Sequence, residues 1–228
     1  MDIFIVIPAY NEEKVIRGVL IDLRNNFKNI IIIDDASDDK TVQIAEQFDI
    51  LVLRHLINRG QGAALKTGIM YALNQKADVI VTFDADGQHH AEDVKNLVKP
   101  IIDGQVEVVL GSRFLNNDQS SNIPVYRKII LKLAVIFTKF SSKLNITDTH
   151  NGLRALSFKA ASKIELKQDR MAHGSEILDE IYKNKLSYIE VPVNITYTNY
   201  SMTKGGANQN PSAFMKILFK YLLGRFIK

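Results

Sequence analysis

Short apolar runs alternate with helical periodicity along the first half of the chain. Five runs rich in β-branched side chains have the length and composition of buried parallel strands. They are residues 3–7, 30–33, 50–53, 79–83 and 106–110. Helical patterns lie between them, over residues 12–27, 38–48, 62–75 and 91–102. This alternation predicts an α/β fold, doubly wound around a mostly parallel central sheet.

The second half has fewer strand signals. The pattern predicts a turn at residues 148–152, a helix over 172–185, a strand over 188–197 and a loop over 203–212. It also predicts amphipathic helices over about 126–143 and 214–228. Ser37, followed by Asp38 and Asp39, is expected to cap the helix that starts there. No repeat or linker divides the chain, which indicates a single domain.

Composition narrows the chemistry. The chain has 228 residues, of which 46% are hydrophobic, and contains no cysteine. Disulfides, thiolate zinc sites and cysteine nucleophiles are therefore excluded. The apolar run at the N-terminus is short and has no basic flank, so it does not resemble a signal peptide, and no window has 18 uninterrupted apolar residues. We expect a cytoplasmic protein, either soluble or bound to a membrane surface.

Carboxylates recur where the predicted strands end. Asp34 and Asp35 follow the second strand, and Asp84 and Asp86 follow the fourth. In doubly wound sheets, ligands bind beyond the carboxyl ends of the strands. A helix cap or turn is the alternative for any one of these residues. Because crowded carboxylates repel one another unless a cation lies among them, the set predicts a bound Mg²⁺ or Mn²⁺.

The spacing of Asp84-Ala85-Asp86 turns both carboxylates to the same side of an extended chain. One could hold the metal, and the other a ribose hydroxyl or a water bound to the metal. Gln88, two residues further on, could supply a neutral oxygen.

Six segments carry a family resemblance. They are residues 8–13, 34–41, 58–68, 84–89, 111–113 and 148–154. In this order they resemble the family 2 glycosyltransferases, in the branch of dolichol-phosphate mannose synthase and the bacterial polyprenyl-phosphate glycosyltransferases. The resemblance implies one GT-A-like (Rossmann-like) domain over residues 1–228, with a nucleotide-sugar-binding half over 1–113 and an acceptor-side half over 114–228.

The resemblance also implies roles for individual residues. Asp84, Asp86 and Gln88 would bind the metal on the donor diphosphate. Arg113 would meet phosphate charge, and Asp148 and Arg154 fall in the acceptor-side segment. Asp86, Arg113 and Asp148 are the predicted catalytic residues. The nucleotide-sugar would contact Pro8, Ala9, Tyr10, Glu12, Asp34, Asp35, Lys66, Asp84, Ala85, Asp86, Arg113, Ser201 and Lys204.

The implied reaction is an inverting transfer from a UDP- or GDP-linked sugar. The metal and Arg113 would stabilise the charge on the departing nucleoside diphosphate. A polyprenyl-phosphate acceptor is already anionic and needs no base, whereas the hydroxyl of a growing glycan needs one. Asp148, Asp169 and Glu176 are the candidates for that base.

Two basic segments suggest where the acceptor lies. Residues 119–147 and 191–228 contain no acid, although the whole chain has 29 basic and 25 acidic residues. Lys128, Lys132, Lys139 and Lys143 fall within about 60° on a helix, next to Arg127. This favours helices lying on the anionic inner face of a membrane over helices packed on the core with solvated lysines. Nucleic acid is not expected as a partner, since no aromatic residues are interleaved to stack bases.

Three other functions compete with this interpretation. Asp84-Ala85-Asp86-Gly87 is similar to the nucleophile motif of haloacid-dehalogenase-type phosphotransferases, which differ at the position of Gln88. A sugar nucleotidyltransferase would have a glycine-rich signature between Ile7 and Glu13, where this chain has none. An inactive, membrane-docked relative is disfavoured by the intact Asp84, Asp86 and Arg113.

Overall fold

The computed structural model describes residues 1–115, 144–149, 151–170, 172–198 and 200. The strands in these ranges are β1 (Ile3–Ala9), β2 (Asn29–Asp34), β3 (Leu51–Arg54), β4 (Val79–Thr82), β5 (Val108–Ser112), β6 (Arg154–Ser157) and β7 (Tyr188–Pro192). The helices, numbered along the same ranges, are α1 (Ile16–Arg24), α2 (Thr41–Ala45), α3 (Gln61–Asn74), α4 (Ala91–Ile102), α5 (Phe158–Lys163) and α6 (His173–Lys183).

The seven strands form one sheet in the order β3-β2-β1-β4-β6-β5-β7. All neighbouring strands are parallel except β6, which is antiparallel to both β4 and β5. This confirms the predicted fold class, an α/β domain with a mostly parallel sheet.

Helices cover both faces of the sheet, because alternate side chains of each central strand enter different cores. Ile5 and Ile7 pack in the same cluster as apolar residues of α1 and α4. Val6 packs on the other face, with residues of α3, α5 and α6. A Cβ atom on Gly68 of α3 would lie 2.3 Å from Val6 Cγ1, so α3 approaches β1 as closely as a glycine allows. The central strands β1, β2 and β4 are buried on both faces, as their continuous apolar runs predict, whereas the edge strands β3 and β7 are partly exposed.

Several predicted boundaries differ from the structure. The second helix has only five residues and starts at Thr41. Ser37 does not cap it: the Ser37 hydroxyl accepts the N–H of Asn11, whereas Asp39 accepts the N–H of Thr41. The strand predicted over residues 188–197 ends at Pro192.

Sequence reasoning missed β6 altogether. Its four residues, Arg154–Ser157, have no apolar alternation of their own, and the strand exists because β4 and β5 flank it. Tertiary pairing here outweighs local propensity.

By backbone contacts the chain divides into two units, Met1–Ile195 and Thr196–Lys228. Every strand and helix named above lies in the first unit. The predicted helices over about 126–143 and 214–228 and the loop over 203–212 fall outside the described residues. In the ranges that the structure describes, no helix combines the length and the hydropathy needed to cross a membrane.

Candidate active site

The carboxyl ends of β1, β2 and β4 lie side by side at one edge of the sheet. Ala9 is paired with Asp34 in the register of β1 and β2, and the N–H of Asp35 donates to the carbonyl of Ala9 at 2.8 Å. On the other side of β1, the N–H of Phe83 donates to the carbonyl of Val6 at 3.0 Å. The segments that follow these three strands therefore line one edge, where ligands bind in this architecture.

Asp84 follows β4 and is held by side chains from two other segments. Gln61, the first residue of α3, donates from Nε2 to Asp84 Oδ1 at 2.8 Å, and His89 Nε2 lies 3.4 Å from Asp84 Oδ2. Burial raises the pKa of Asp84. The hydrogen bond with His89 and the electrostatic influence of His89, His173 and Arg154 outweigh burial, so the net pKa lies below its ordinary value. Asp84 is therefore an ionised carboxylate at neutral pH.

Asp86 has the opposite electrostatic environment. Burial, with a further contribution from the carboxylate of Asp84 and a smaller one from that of Glu12, raises the pKa of Asp86 to about 6. The backbone N–H of Gln88 donates to Asp86 Oδ1 at 3.0 Å and fixes the turn. A cation between Asp84 and Asp86 would relieve their repulsion.

The pair fits a hard divalent cation whose coordination is completed by a substrate. Mg²⁺ commonly uses one or two carboxylates together with phosphate oxygens and water. In the described part of the chain, no group of three or more His, Asp or Glu side chains could hold a metal ion. Asp84 and Asp86 would therefore be the carboxylate ligands, with phosphate oxygens supplying the rest. The side-chain oxygen of Gln88 stays a predicted ligand.

The carboxylates of Asp34 and Asp35 are held by contacts with neighbouring segments. Asp34 is fully buried; its Oδ2 accepts the N–H of Ser37 at 3.1 Å and lies 3.2 Å from Arg54 Nε. Asp35 Oδ1 contacts His55 Nδ1 at 2.7 Å. These contacts fix the end of β2 against β3.

Asp35 also shapes the loop that enters α3. Its Oδ1 accepts the N–H of Arg59 at 3.0 Å, and its Oδ2 accepts the N–H of Gly60 at 2.6 Å. Gly60 has a φ of 108°, a conformation that L side chains rarely adopt. The backbone around Asp35 is thus fixed by one buried carboxylate.

Arg113 and Asp148 form a buried ion pair. Arg113 donates to Asp148 Oδ2 from its side-chain Nε at 2.6 Å and from its backbone N–H at 3.2 Å. Its Nη2 donates to Asp148 Oδ1 at 3.3 Å. Such bidentate pairs fix the plane of the guanidinium. The geometry gives Asp148 the task of orienting Arg113, and an ion-paired carboxylate is a weak base.

Glu190 of β7 fixes the segment that carries Asp148. Its carboxylate accepts the N–H of Thr147 at 2.8 and 2.9 Å and the N–H of Asp148 at 3.1 Å. The hydroxyl of Thr147 donates to the same group at 3.0 Å and contacts Ser112 Oγ at 2.7 Å. Burial raises the pKa of Glu190. A chain of contacts therefore runs from Glu190 through Asp148 to Arg113.

The other two candidate bases are also engaged. Glu176 accepts the backbone N–H groups of Lys167 and Gln168 at 2.9–3.0 Å. Asp169 is exposed and lies 3.4 Å from Arg59 Nη2. No contact of the described residues connects either carboxylate to the Asp84–Asp86 pair.

The other residues predicted to contact the nucleotide-sugar differ in how far they are buried. Pro8 and Ala9 complete β1 and are buried, as is Ala85, whereas Tyr10 is exposed at the same edge. Lys66 is exposed on α3, and no hydrogen bond or ion pair within the described ranges connects it to Asp84 or Asp86. Ser201, Lys204, Arg127, Lys128, Lys132 and Lys139 lie outside the described residues, and their roles stay predictions.

Arg154 begins β6, paired with Thr82 of β4. Burial lowers the pKa of Arg154 to about 10, although the charges of Asp84 and Asp148 oppose the shift. The predicted acceptor residue Arg154 therefore lies near both the carboxylate pair and the partner of Arg113.

Sequence reasoning missed Gln61 and Glu190, and it left His89 and His173 as histidines for which an ordinary structural role was at least as well supported as a place in the site. His89 carried a signal, since it stands five positions after Asp84. The others are distant in the sequence, and no spacing connects Glu190 of β7 to a segment 43 residues earlier.

The mostly parallel sheet, with a carboxylate pair and buried arginines at its carboxyl edge, has the architecture expected of a GT-A-like nucleotide-binding domain. The sequence profile described as "Glycosyl transferase family 2" matches residues 4–165. The chain belongs to this family.

Individual relatives agree with this assignment. An uncharacterized protein of Methanocaldococcus jannaschii is 42% identical over 97% of this chain and 91% of its own length. A UDP-N-acetylglucosamine–dolichyl-phosphate N-acetylglucosaminyltransferase of Methanococcus voltae is 37% identical over 97% of this chain and 95% of its own. The second of these relatives confirms the resemblance to the polyprenyl-phosphate branch.

A solved structure supports the fold. Glucosyl-3-phosphoglycerate synthase from Mycobacterium tuberculosis, crystallised with Mn²⁺, UDP and phosphoglyceric acid, superposes with a TM-score of 0.70 at 19% identity. The superposition covers 94% of this chain and 77% of that one.

Proposed function

We propose that this glycosyltransferase moves a sugar, with inversion, from a nucleoside diphosphate to a polyprenyl phosphate. One observation carries the proposal: Asp84 and Asp86, whose carboxylates are close enough for Asp84 to raise the pKa of Asp86, stand at the carboxyl edge of the sheet, which also carries the buried Arg113 and Arg154. The Methanococcus voltae relative, whose name specifies a UDP-sugar donor and a dolichyl-phosphate acceptor, supports it.

The donor diphosphate would lie over Asp84 and Asp86. A divalent cation held by them would supply Lewis-acid stabilisation of the leaving diphosphate. Arg113 would contribute a second, fixed positive charge, since Asp148 and Glu190 hold its guanidinium in place. A preorganised cation stabilises the developing charge without reorganising during the reaction.

A phosphate acceptor suits this site better than a sugar hydroxyl. A hydroxyl must lose its proton to a base, and the three carboxylates considered for that task are committed: Asp148 to Arg113, Glu176 to backbone N–H groups and Asp169 to an exposed ion pair. A phosphate oxygen attacks the anomeric carbon as an anion, so this acceptor requires no base.

The hydrogen bonds of Asp35 favour a uridine donor over a guanosine one. A carboxylate has about four acceptor positions, and the protein occupies two on Oδ1 and one on Oδ2. The one position left suits the single N3–H of uracil. Guanine presents two adjacent donors, N1–H and the 2-amino group, and would leave one of them unpaired.

The proposal includes association of the enzyme with the membrane surface. The two acid-free segments, residues 119–147 and 191–228, would hold the enzyme on the anionic inner face of the membrane, where a polyprenyl phosphate is anchored. Most of both segments lies outside the described residues, and this part of the proposal is argued from their sequence alone.

The test is a transfer assay with the full chain, a labelled UDP-sugar, Mn²⁺ and a short polyprenyl phosphate. The matched acceptor is the corresponding polyprenol, which lacks the phosphate. We expect product with the phosphate only, none after chelation with EDTA, and none with Asp86→Asn. The control variant Asp103→Asn changes an exposed carboxylate on the far end of α4 and should stay active. Transfer to a saccharide hydroxyl, with none to the polyprenyl phosphate, would refute the proposal.

A further inference from the structure

Arg154 is a buried arginine without a partner in the described part of the chain. Its relative exposure is 5%, and no carboxylate of the described residues lies within ion-pair distance of its guanidinium. Arg113, buried to a similar degree, has the bidentate partner Asp148. Arginines are almost never fully buried unless they are paired, because an unpaired buried charge is costly. The described residues thus leave Arg154 without the counter-charge that a buried guanidinium requires, and a bound anion would supply it.

The guanidinium lies against the first turn of α6. A Cβ atom added to Gly174 would be 3.6 Å from Arg154 Nη2, so the absence of a side chain at this position leaves room beside the guanidinium. The neighbouring His173 is also buried, and its Nδ1 lies 2.9 Å from the carbonyl of Arg170.

The start of α6 adds donors and a favourable dipole. The helix has 11 residues, and no side chain caps it. The N–H groups of Gly174 and Ser175 have no acceptor among the described residues. The acid in the first turn, Glu176, is occupied by the N–H groups of Lys167 and Gln168. Free N–H groups at the positive end of a helix bind anions.

The location of Arg154 specifies the class of anion. The charge of Arg154 lowers the pKa of Asp84, the proposed metal ligand. The charge of Asp148, the partner of Arg113, raises the pKa of Arg154. An anion that bridges Arg154 and α6 would therefore stand next to the reacting diphosphate. A fork of guanidinium donors beside helical N–H groups matches the oxygens of a phosphate.

We propose that Arg154 and the first turn of α6, at Gly174 and Ser175, form a phosphate-binding subsite beside the Asp84–Asp86 pair. The inference rests on the proposed function, which offers two sources of phosphate: the acceptor's monoester and the donor's diphosphate. The subsite has the same chemistry for either.

The first experiment does not depend on activity. Thermal unfolding of the full chain is followed with inorganic phosphate in the absence of divalent metal, against sodium chloride at equal ionic strength. Phosphate should raise the Tm of the wild type and of the control Arg24→Gln, which alters an arginine on α1. It should not raise the Tm of Arg154→Met. An undiminished phosphate shift in Arg154→Met would overturn the subsite.

A second variant keeps the test valid if Arg154→Met does not fold. Gly174→Val retains the arginine and fills the space in front of it, while Gly174→Ala adds a Cβ at ordinary contact distance. We expect the phosphate shift to disappear in the valine variant and to persist, reduced, in the alanine variant. Equal shifts in all three proteins would contradict the proposed position.

Two further measurements separate the sources of phosphate. In Arg154→Lys, an acceptor subsite predicts a KM for polyprenyl phosphate raised about tenfold or more, with the Kd for UDP and Mn²⁺ within about twofold of wild type. A donor subsite predicts a raised Kd for UDP and Mn²⁺, with the KM for polyprenyl phosphate close to that of wild type. If neither constant changes, Arg154 is a structural residue and the inference is wrong. Failure of the proposed function is distinguishable, because wild-type protein would then show the phosphate shift without any glycosyl transfer.

Discussion

The carboxylate of Asp84 occupies the space that a side chain at residue 152 would fill. A Cβ atom on Gly152 would lie 2.1 Å from Asp84 Oδ2 and 2.6 Å from its Cγ. The Gly152 backbone cannot withdraw freely, since its carbonyl accepts the hydroxyl of Thr82 at 2.6 Å. The glycine is therefore required by the position of the proposed metal ligand.

Gly152→Ala should displace Asp84 and weaken metal-dependent donor binding. We expect the Kd for UDP in the presence of Mn²⁺ to rise by about tenfold or more, since small displacements in such sites have large effects. Isothermal titration calorimetry measures it. The matched control is Gly18→Ala on α1, where an added Cβ meets nothing within 4 Å. The control should bind normally and be more stable by about 0.5–1 kcal/mol. Normal binding by Gly152→Ala would show that Asp84 is not a ligand.

The nucleobase preference can be measured with three diphosphates. UDP should bind more tightly than GDP by roughly tenfold to a hundredfold, because guanine leaves one donor unpaired next to Asp35. CDP is matched to UDP in size but presents an acceptor at N3 instead of a donor, so it should also bind weakly. Competition calorimetry in Mn²⁺ gives all three constants.

Asp35→Asn should narrow the ratio between UDP and CDP, since an amide can donate to N3 of cytosine. Asp38→Asn, which removes an exposed carboxylate from the same segment, is the control. Equal affinities for UDP and CDP in the wild type would remove Asp35 from base recognition. Preference for GDP would reverse the proposal for the donor.

Asp86→Asn should stabilise the metal-free protein while abolishing its metal dependence. The pKa of Asp86 in the folded state, about 6, lies above the ordinary value of 3.8. The ionised carboxylate therefore lowers stability above about pH 6, and this cost disappears below about pH 4. Urea unfolding in EDTA at pH 7.5 should show a gain on the order of 1–2 kcal/mol.

The gain in stability of Asp86→Asn should vanish when the unfolding is repeated at pH 4, because Asp86 of the wild type is then also protonated and uncharged. Asp103→Asn provides the comparison at both pH values. A loss of stability in Asp86→Asn at pH 7.5 would mean that the Asp84–Asp86 repulsion is already relieved without metal.

Glu190 should affect turnover through Arg113 without touching the substrate. Glu190→Ala leaves the N–H groups of Thr147 and Asp148 without their acceptor, at about 1–3 kcal/mol for each buried group. Glu190→Gln keeps one acceptor oxygen and should retain most of the stability. We expect kcat to fall more than the KM for the donor changes, and to recover in Glu190→Gln. A fall in Tm with unchanged kcat would limit Glu190 to a structural role.

The basic segment before residue 144 allows a test of membrane binding. Replacing Lys128, Lys132, Lys139 and Lys143 by Glu should abolish sedimentation with vesicles rich in anionic lipid, and high salt should weaken wild-type binding. The control replaces Lys14, Lys28, Lys76 and Lys95 by Glu, which changes the net charge by the same amount. Sedimentation that is unaffected by the first set would separate this segment from the membrane.

The local pattern determined much of the architecture. The β-branched runs specified β1 to β5 to within a few residues, because strands buried on both faces are continuously apolar. Polar residues directly after these runs, such as Asp84 and Asp86, could be assigned to one edge, since parallel strands end on the same side. The family segments over residues 8–154 then predicted the glycosyltransferase class, which the comparisons confirm.

Tertiary structure decided what each polar residue contacts. Periodicity reports which face of an element is buried but not which distant segment packs there. The sequence thus gave no sign that Glu190 binds the segment at Asp148, or that Asp148 is paired with Arg113 rather than available as a base. β6 likewise depends on its neighbours β4 and β5. Only the fold revealed that Arg154 is buried with no ion-pair partner among the residues that the structure describes, because pairing between residues remote in the chain is set by three-dimensional packing and not by local spacing.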